Sequence, residues 1–252
     1  MKKYITLAAL LAVGTTFANA EGGAVAQPTV YDAYILPNSN TSTKVQTLTT
    51  ARGQLWFNED NALLASWMLE FSLTKLSKGN NTMFGTNKGT NGTTEERYGL
   101  GFYSWYDQSG VTLGKDNNHF SGTAKLGFPT GTTLESMDLT YRLAYDAESN
   151  IAYLYCVDTG EMTFASTDGD YTLNGAKFGA ASDQNGIATF WTDGGADTFT
   201  ISTVTDLSGL AGSNEVFNHY VRTTTVIPEP SAFGMLAGLG ALALVAARRR
   251  RK

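Results

Sequence analysis

The chain has 252 residues, with 18 basic and 23 acidic side chains, a net charge of −5, 2 histidines and 1 cysteine. Between its two ends the chain offers no basic patch to hold nucleic acid or anionic lipid. The lone Cys156 precludes an intrachain disulfide, and so few histidines leave little for a zinc site or a Ser-His-Asp triad.

The N-terminus reads as an export signal. Met1-Lys2-Lys3 is a positive n-region, Tyr4 to Gly14 is an apolar stretch too short to span a bilayer, and Ala18-Asn19-Ala20 precedes Glu21 as an A-x-A cleavage site. Signal peptidase is therefore an expected partner, cutting after Ala20 so that residues 1–20 are removed. Residues 21–29 form a short lead. Between the two ends, residues 21–227 hold 11 basic and 22 acidic side chains, a net charge near −11. Such a body is soluble and compatible with calcium or neutral sugars as ligands.

From residue 30 to 220 the pattern is β. Val30–Leu36 and Gln54–Phe57 are short strands. In the next, Trp67, Leu69, Phe71 and Leu73 alternate with Met68, Glu70 and Ser72, the period of a strand with one buried face. Tyr98–Tyr106 and Lys125–Phe128 follow. Met137–Tyr145 alternates most regularly, and the turn Asp146-Ala147-Glu148-Ser149-Asn150 leads into Ile151–Val157, which predicts an antiparallel hairpin. Met162–Ala165, Ile187–Trp191 and Phe199–Val204 complete the set. Cys156 alternates within an apolar strand, as a small buried hydrophobe does. Many short strands separated by Gly-, Asn- and Asp-rich turns predict an all-β domain of two packed antiparallel sheets. Residues 221–227 read as a linker.

The last 25 residues have three parts: Pro228-Glu229-Pro230, an uncharged run from Ser231 to Ala247, and the cluster Arg248-Arg249-Arg250-Arg251-Lys252. As a helix the 17-residue run is about 25 Å long, at the lower limit for a ~30 Å hydrocarbon core. Snorkelling arginines make up the difference, and the positive-inside rule keeps the tail cytoplasmic with the domain outside. This order of parts resembles the PEP-CTERM sorting signal, carried by Val226 to Ser231, the helix and the basic tail. The resemblance implies recognition by an exosortase that cuts near the tripeptide, so that the membrane anchor is transient and the protein ends at the cell surface or outside the cell.

The strand Trp67-Met68-Leu69-Glu70-Phe71-Ser72-Leu73 resembles an early strand of a laminin-G-like or concanavalin-like jelly roll. Leu139 to Asp146 with Ile151 to Tyr155 resembles its central hairpin, and Asp197 to Ser202 with Leu207-Ser208 its closing strand. The resemblance spans residues 30 to 215 and implies a jelly-roll β-sandwich of the kind found in lectins and glucanases. The E-x-D-x-E spacing that such glucanases resemble one another in has no counterpart here: Glu95 and Glu96 are adjacent, and Glu135 and Asp138 are three apart. Retention needs carboxyls about 5–5.5 Å apart on one face. His119 and His219 stand alone in polar loop contexts.

Two candidate constellations remain. Tyr103, Trp105 and Trp191 form either a sugar-stacking platform or core. Asp168 and Asp170, with Asp193 and Asp197, lie on turns that suit calcium, the one cofactor in prospect, and equally suit turn conformation alone. A non-catalytic surface or matrix protein that binds glycan or exopolysaccharide is the expected function. A secreted glycan hydrolase with an unrecognised carboxylate site is the alternative.

Overall fold

The computed structural model describes residues 27–37, 43–49, 51–57, 63–75, 81–86, 100–104, 110–115, 124–133, 136–167, 171–175, 188–192, 198–210 and 214–226. Its strands, in chain order, are β1 (Thr29–Pro37), β2 (Thr47–Leu48), β3 (Ala51–Phe57), β4 (Leu63–Leu64), β5 (Trp67–Thr74), β6 (Asn81–Thr86), β7 (Leu100–Ser104) and β8 (Gly110–Lys115). They continue as β9 (Lys125–Gly127), β10 (Asp138–Asp146), β11 (Ile151–Cys156), β12 (Met162–Ser166), β13 (Leu173–Asn174), β14 (Ala188–Thr192) and β15 (Thr198–Asp206). A single turn of 3-10 helix at Ser208–Leu210 precedes the helix α1 (Asn214–Thr223).

All pairings are antiparallel, and they form two main sheets that share β1. Thr29 to Asp32 pair with β15, whereas Ala33 to Pro37 pair with β3. The first half of β1 thus extends the sheet β12-β11-β10-β5-β15, and its second half opens the sheet β3-β14-β6-β7-β8-β9. A strand that changes sheet midway makes a sandwich corner. Close packing of β3 against the second half of β1 favours a glycine, since a Cβ on Gly53 would overlap the Ile35 Cγ2 methyl.

Both sheets contribute to one core. Leu69, Phe71, Leu73, Leu143 and Leu154 face Ile35, Leu55, Phe57, Val111 and Leu113, each fully buried. Phe71 lies between two rings, 5.9 Å from Tyr141 and 5.0 Å from Phe199, nearly parallel to both. Trp67 packs on Tyr145 at 6.3 Å and donates its indole N–H to the Tyr171 carbonyl at 2.8 Å. A buried indole needs such an acceptor.

The expected hairpin is present with Tyr145 opposite Ala152 and Asp146 opposite Ile151. Its turn is closed by the buried Asp146 carboxylate, which accepts from the Glu148 amide at 3.1 Å and the Ser149 hydroxyl at 2.6 Å. Asn150 takes the left-handed conformation there, φ 53°, which asparagine tolerates. Cys156 is buried and unpaired.

Two differences from the sequence expectations matter. Helix α1 breaks the uninterrupted β pattern, and it places His219 on a helix instead of in a loop. The folded body also continues past Tyr220: Val221, expected to begin a linker, is fully buried on α1. The reason is amphipathicity. Val216, Phe217, Tyr220 and Val221 form one apolar stripe, with Glu215 in the first turn and Arg222 in the last, favourable at each helix end.

Phe71→Ala removes the central ring of the stack and is expected to cost about 3–5 kcal/mol, read as a lower denaturant midpoint at unchanged slope. Tyr141 gives a second measurement. Burial first, then the proximity of Cys156 and Asp158, holds its phenol well above the ordinary value of 10.0. Its folded-state pKa is raised, so the stability it contributes is intact below about pH 10 and is lost as pH climbs from there toward the folded value. An alkaline titration of stability should show this limb, and Tyr141→Phe should flatten it.

Candidate functional site

The structure brings two of the three aromatic candidates onto one sheet. Tyr103 lies on β7 and Trp191 on β14, with β6 between them. On β8 the buried core positions Val111 and Leu113 stand opposite Ser104 and Phe102, so position 103, opposite Thr112, falls on the other row of the alternation. Position 191 is opposite Arg52, whereas Gly53, Leu55 and Phe57 mark the core row of β3. The outer row of this sheet also holds an aromatic pair the sequence did not single out, Tyr34 and Trp56 at 5.7 Å, with the Lys44 ammonium 2.9 Å from the Trp56 ring centre. Register was the missing signal, because Tyr34 and Trp56 are far apart in sequence and directly opposite in space.

Trp105, Asp168, Asp170, Asp193 and Asp197 lie outside the described residues, as do Ala18, Ala20, Glu21, the Pro228-Glu229-Pro230 tripeptide, the apolar run and Arg248 to Arg251. Among the described residues, no group of three or more His, Cys, Asp or Glu side chains is placed to hold a metal ion. Among the same residues, no helix is long and apolar enough to cross a membrane.

The best-defined polar constellation lies on the opposite face of the molecule, where α1 crosses the β12-β11-β10-β5-β15 sheet. Phe217 packs on Tyr153 at 5.6 Å, and with Met68, Ala144, Leu207 and Val221 it forms a second apolar cluster. Arg142 of β10 fastens the C-terminal end of the helix. Its Nε donates to the Glu70 carboxylate at 2.7 Å, and its Nη1 donates to the carbonyls of Val221 at 3.0 Å and Arg222 at 2.9 Å. A guanidinium at a helix C-terminus satisfies carbonyls left without an intrahelical partner and meets the negative end of the dipole. Tyr155 lies between two cations, 5.8 Å from Arg142 and 5.7 Å from Arg222.

The helix then stops through Thr224, at φ 56°, whose amide donates to the Tyr220 carbonyl at 2.7 Å. That is a left-handed cap on a residue other than glycine. His219 Nε2 is 3.4 Å from the Thr225 hydroxyl, which fits a capping contact. A groove of about 360 Å³ remains between this helix end, β5 and β15. The Tyr220 phenol, which lines it, is held above its ordinary value by burial, an effect that Arg142 partly offsets.

The chain was compared with known proteins. Residues 226–251 match the family model described as a PEP-CTERM protein-sorting motif. The chain carries a PEP-CTERM sorting motif. Its first residue, Val226, packs against the α1 cluster.

No curated protein matches the chain. Solved structures similar to it include the VIP36 exoplasmic/lumenal domain in a Ca²⁺/Man3GlcNAc-bound form, at 10% identity and a TM-score of 0.39, covering 69% of this chain and 81% of that one. Arcelin-5, a lectin-like defence protein from Phaseolus vulgaris, is similar at 7% identity and a TM-score of 0.36, covering 71% and 91%. Trypanosoma rangeli sialidase is similar at 11% identity and a TM-score of 0.38, covering 69% of this chain and 26% of that one.

Arg142→Ala would leave Glu70 and the end of α1 without their donor. It is expected to cost about 3 kcal/mol, and hydrogen exchange of the 220–223 amides should accelerate more than that of β5. Arg142→Lys should recover less than half of the loss, because an ammonium lacks the planar fork that reaches β5 and α1 together.

Proposed function

We propose that this is an exported bacterial surface or matrix protein, delivered by exosortase through its PEP-CTERM signal, whose β-sandwich binds glycan and performs no catalysis. The observation that carries the reading is the sorting motif matched over residues 226–251. In this scheme signal peptidase removes residues 1–20. The 231–247 helix then holds the chain in the inner membrane with Arg248 to Arg251 on the cytoplasmic side, and exosortase acts near Pro228-Glu229-Pro230.

The sandwich is read as a concanavalin-like jelly roll. Its glycan platform is assigned to Tyr103, Trp105 and Trp191. Aromatic faces stack on the C–H faces of sugars. Asp168, Asp170, Asp193 and Asp197 are the residues proposed for calcium, which carboxylates on loops accommodate.

Deleting Pro228–Lys252 is expected to abolish surface display, scored by protease accessibility on intact cells. Surface localisation that survives the deletion would refute the sorting role. A glycan array probed with and without chelator measures binding and its calcium dependence. Release of reducing sugar from any bound glycan would overturn the non-catalytic assignment.

A further inference from the structure

The groove at the end of α1 has a lining suited to a ligand, and the export route makes no use of it. Register builds it. On the outer face of the helix-side sheet, one cross-strand row runs Val30, Thr205, Met68, and the next includes Thr203, Glu70, Arg142. Helix α1 covers the β10 and β11 end of both rows and leaves the β1 and β15 end open, with Tyr220 as the wall between.

The chemistry of the lining narrows the occupant. Glu70 and Arg142 neutralise each other at 2.7 Å, and Arg142 Nη1 is already committed to the two helix carbonyls. An anion therefore finds no free cation, and a cation finds a carboxylate already paired. Hydroxyls dominate what is left. Thr203, Thr205 and Tyr220 line the groove, and each hydroxyl can both donate and accept a hydrogen bond. Val30 and Met68 flank Thr205 on its row, and the Tyr220 ring adds a further apolar surface. Apolar groups interleaved with hydroxyls and one carboxylate match a sugar ring, which has a C–H face and a rim of hydroxyls. At about 360 Å³ the groove is near the small end of ligand sites, ~300–1,000 Å³, so its occupant is short.

We propose that this groove binds the end of a neutral sugar chain, with Glu70, Thr205 and Tyr220 taking its hydroxyls. The proposal rests on the glycan-binding reading above and gives it a site on the opposite sheet from positions 103 and 191.

Calorimetric titration of the full chain in detergent tests it, using neutral gluco-, manno-, galacto- and N-acetylglucosamine oligosaccharides, with a hexuronate oligosaccharide as the charged control. One neutral series is expected to bind, with the hexuronate at least about tenfold weaker because its carboxylate meets no free cation. Thr205→Val should weaken binding about tenfold by removing one buried hydroxyl partner. Val30→Trp should abolish binding by filling the groove from a position that is 55% exposed and so makes little demand on folding. Neutral-sugar binding that is undiminished in both variants overturns the groove while leaving the glycan-binding reading standing. Tighter binding of the hexuronate overturns the neutral assignment. If neither the titration nor the glycan array detects any sugar, the glycan reading fails and the groove proposal fails with it.

Discussion

Arg142 sits where β10, β5 and the end of α1 meet: its Nε donates to Glu70 and its Nη1 to the last carbonyls of the helix. A ten-residue helix is too short to be stable by itself. It persists because its apolar stripe is buried on the sheet and because its C-terminal carbonyls, facing a partly desolvated surface, find a fixed cation. The same contact compensates the Glu70 carboxylate within the sheet. Without it, a partly buried acid and an unsatisfied helix end would occur side by side, each at a cost. The position of the helix, the burial of the strand beneath it and the shape of the adjoining groove all follow from that one side chain.

The helix also accounts for the unusual burial of β5. On a sandwich with one solvated face, Met68 would be exposed. Here Trp67, Met68 and Leu69 are all buried, because the core covers one face and α1 the other. Glu70 is the one polar residue on that face close enough to Arg142 to be paired there, and beyond it Ser72 meets the Thr140 hydroxyl at 3.1 Å. The strand therefore passes from doubly buried to half-buried within a few residues, and the ion pair marks the boundary.

Much of this was legible in the sequence where one face alternates strongly. β5 and β10 were readable because four and five positions respectively repeat at period two, and β11 because a turn with its own chemistry joins it to β10. β2, β4 and β13 were not, since strands of two residues exist only through their partners. β8 offers only Val111 and Leu113 between glycines and lysine, too little for a periodic signal. Helix α1 did leave a trace, the spacing of Val216, Phe217, Tyr220 and Val221, but a β-rich context masked it. The groove left none. Its residues come from β1, β5, β10, β15 and α1, and nothing local in any of them announces that Val30 will lie beside Thr205 or that Tyr220 will close over both.

The start of β1 and the residue that follows α1 meet. Val30, at the start of β1, and Thr224, just after α1, line the same groove. A tensile load applied between the termini therefore does not run through the sandwich. It is borne by the first half of β1, the left-handed cap at Thr224 and the Arg142 contact, while the sheet of β3, β14 and β6 to β9 stays out of the load path. For a domain held by its C-terminal side, mechanical failure begins as helix detachment, and the core is spared until that latch has opened.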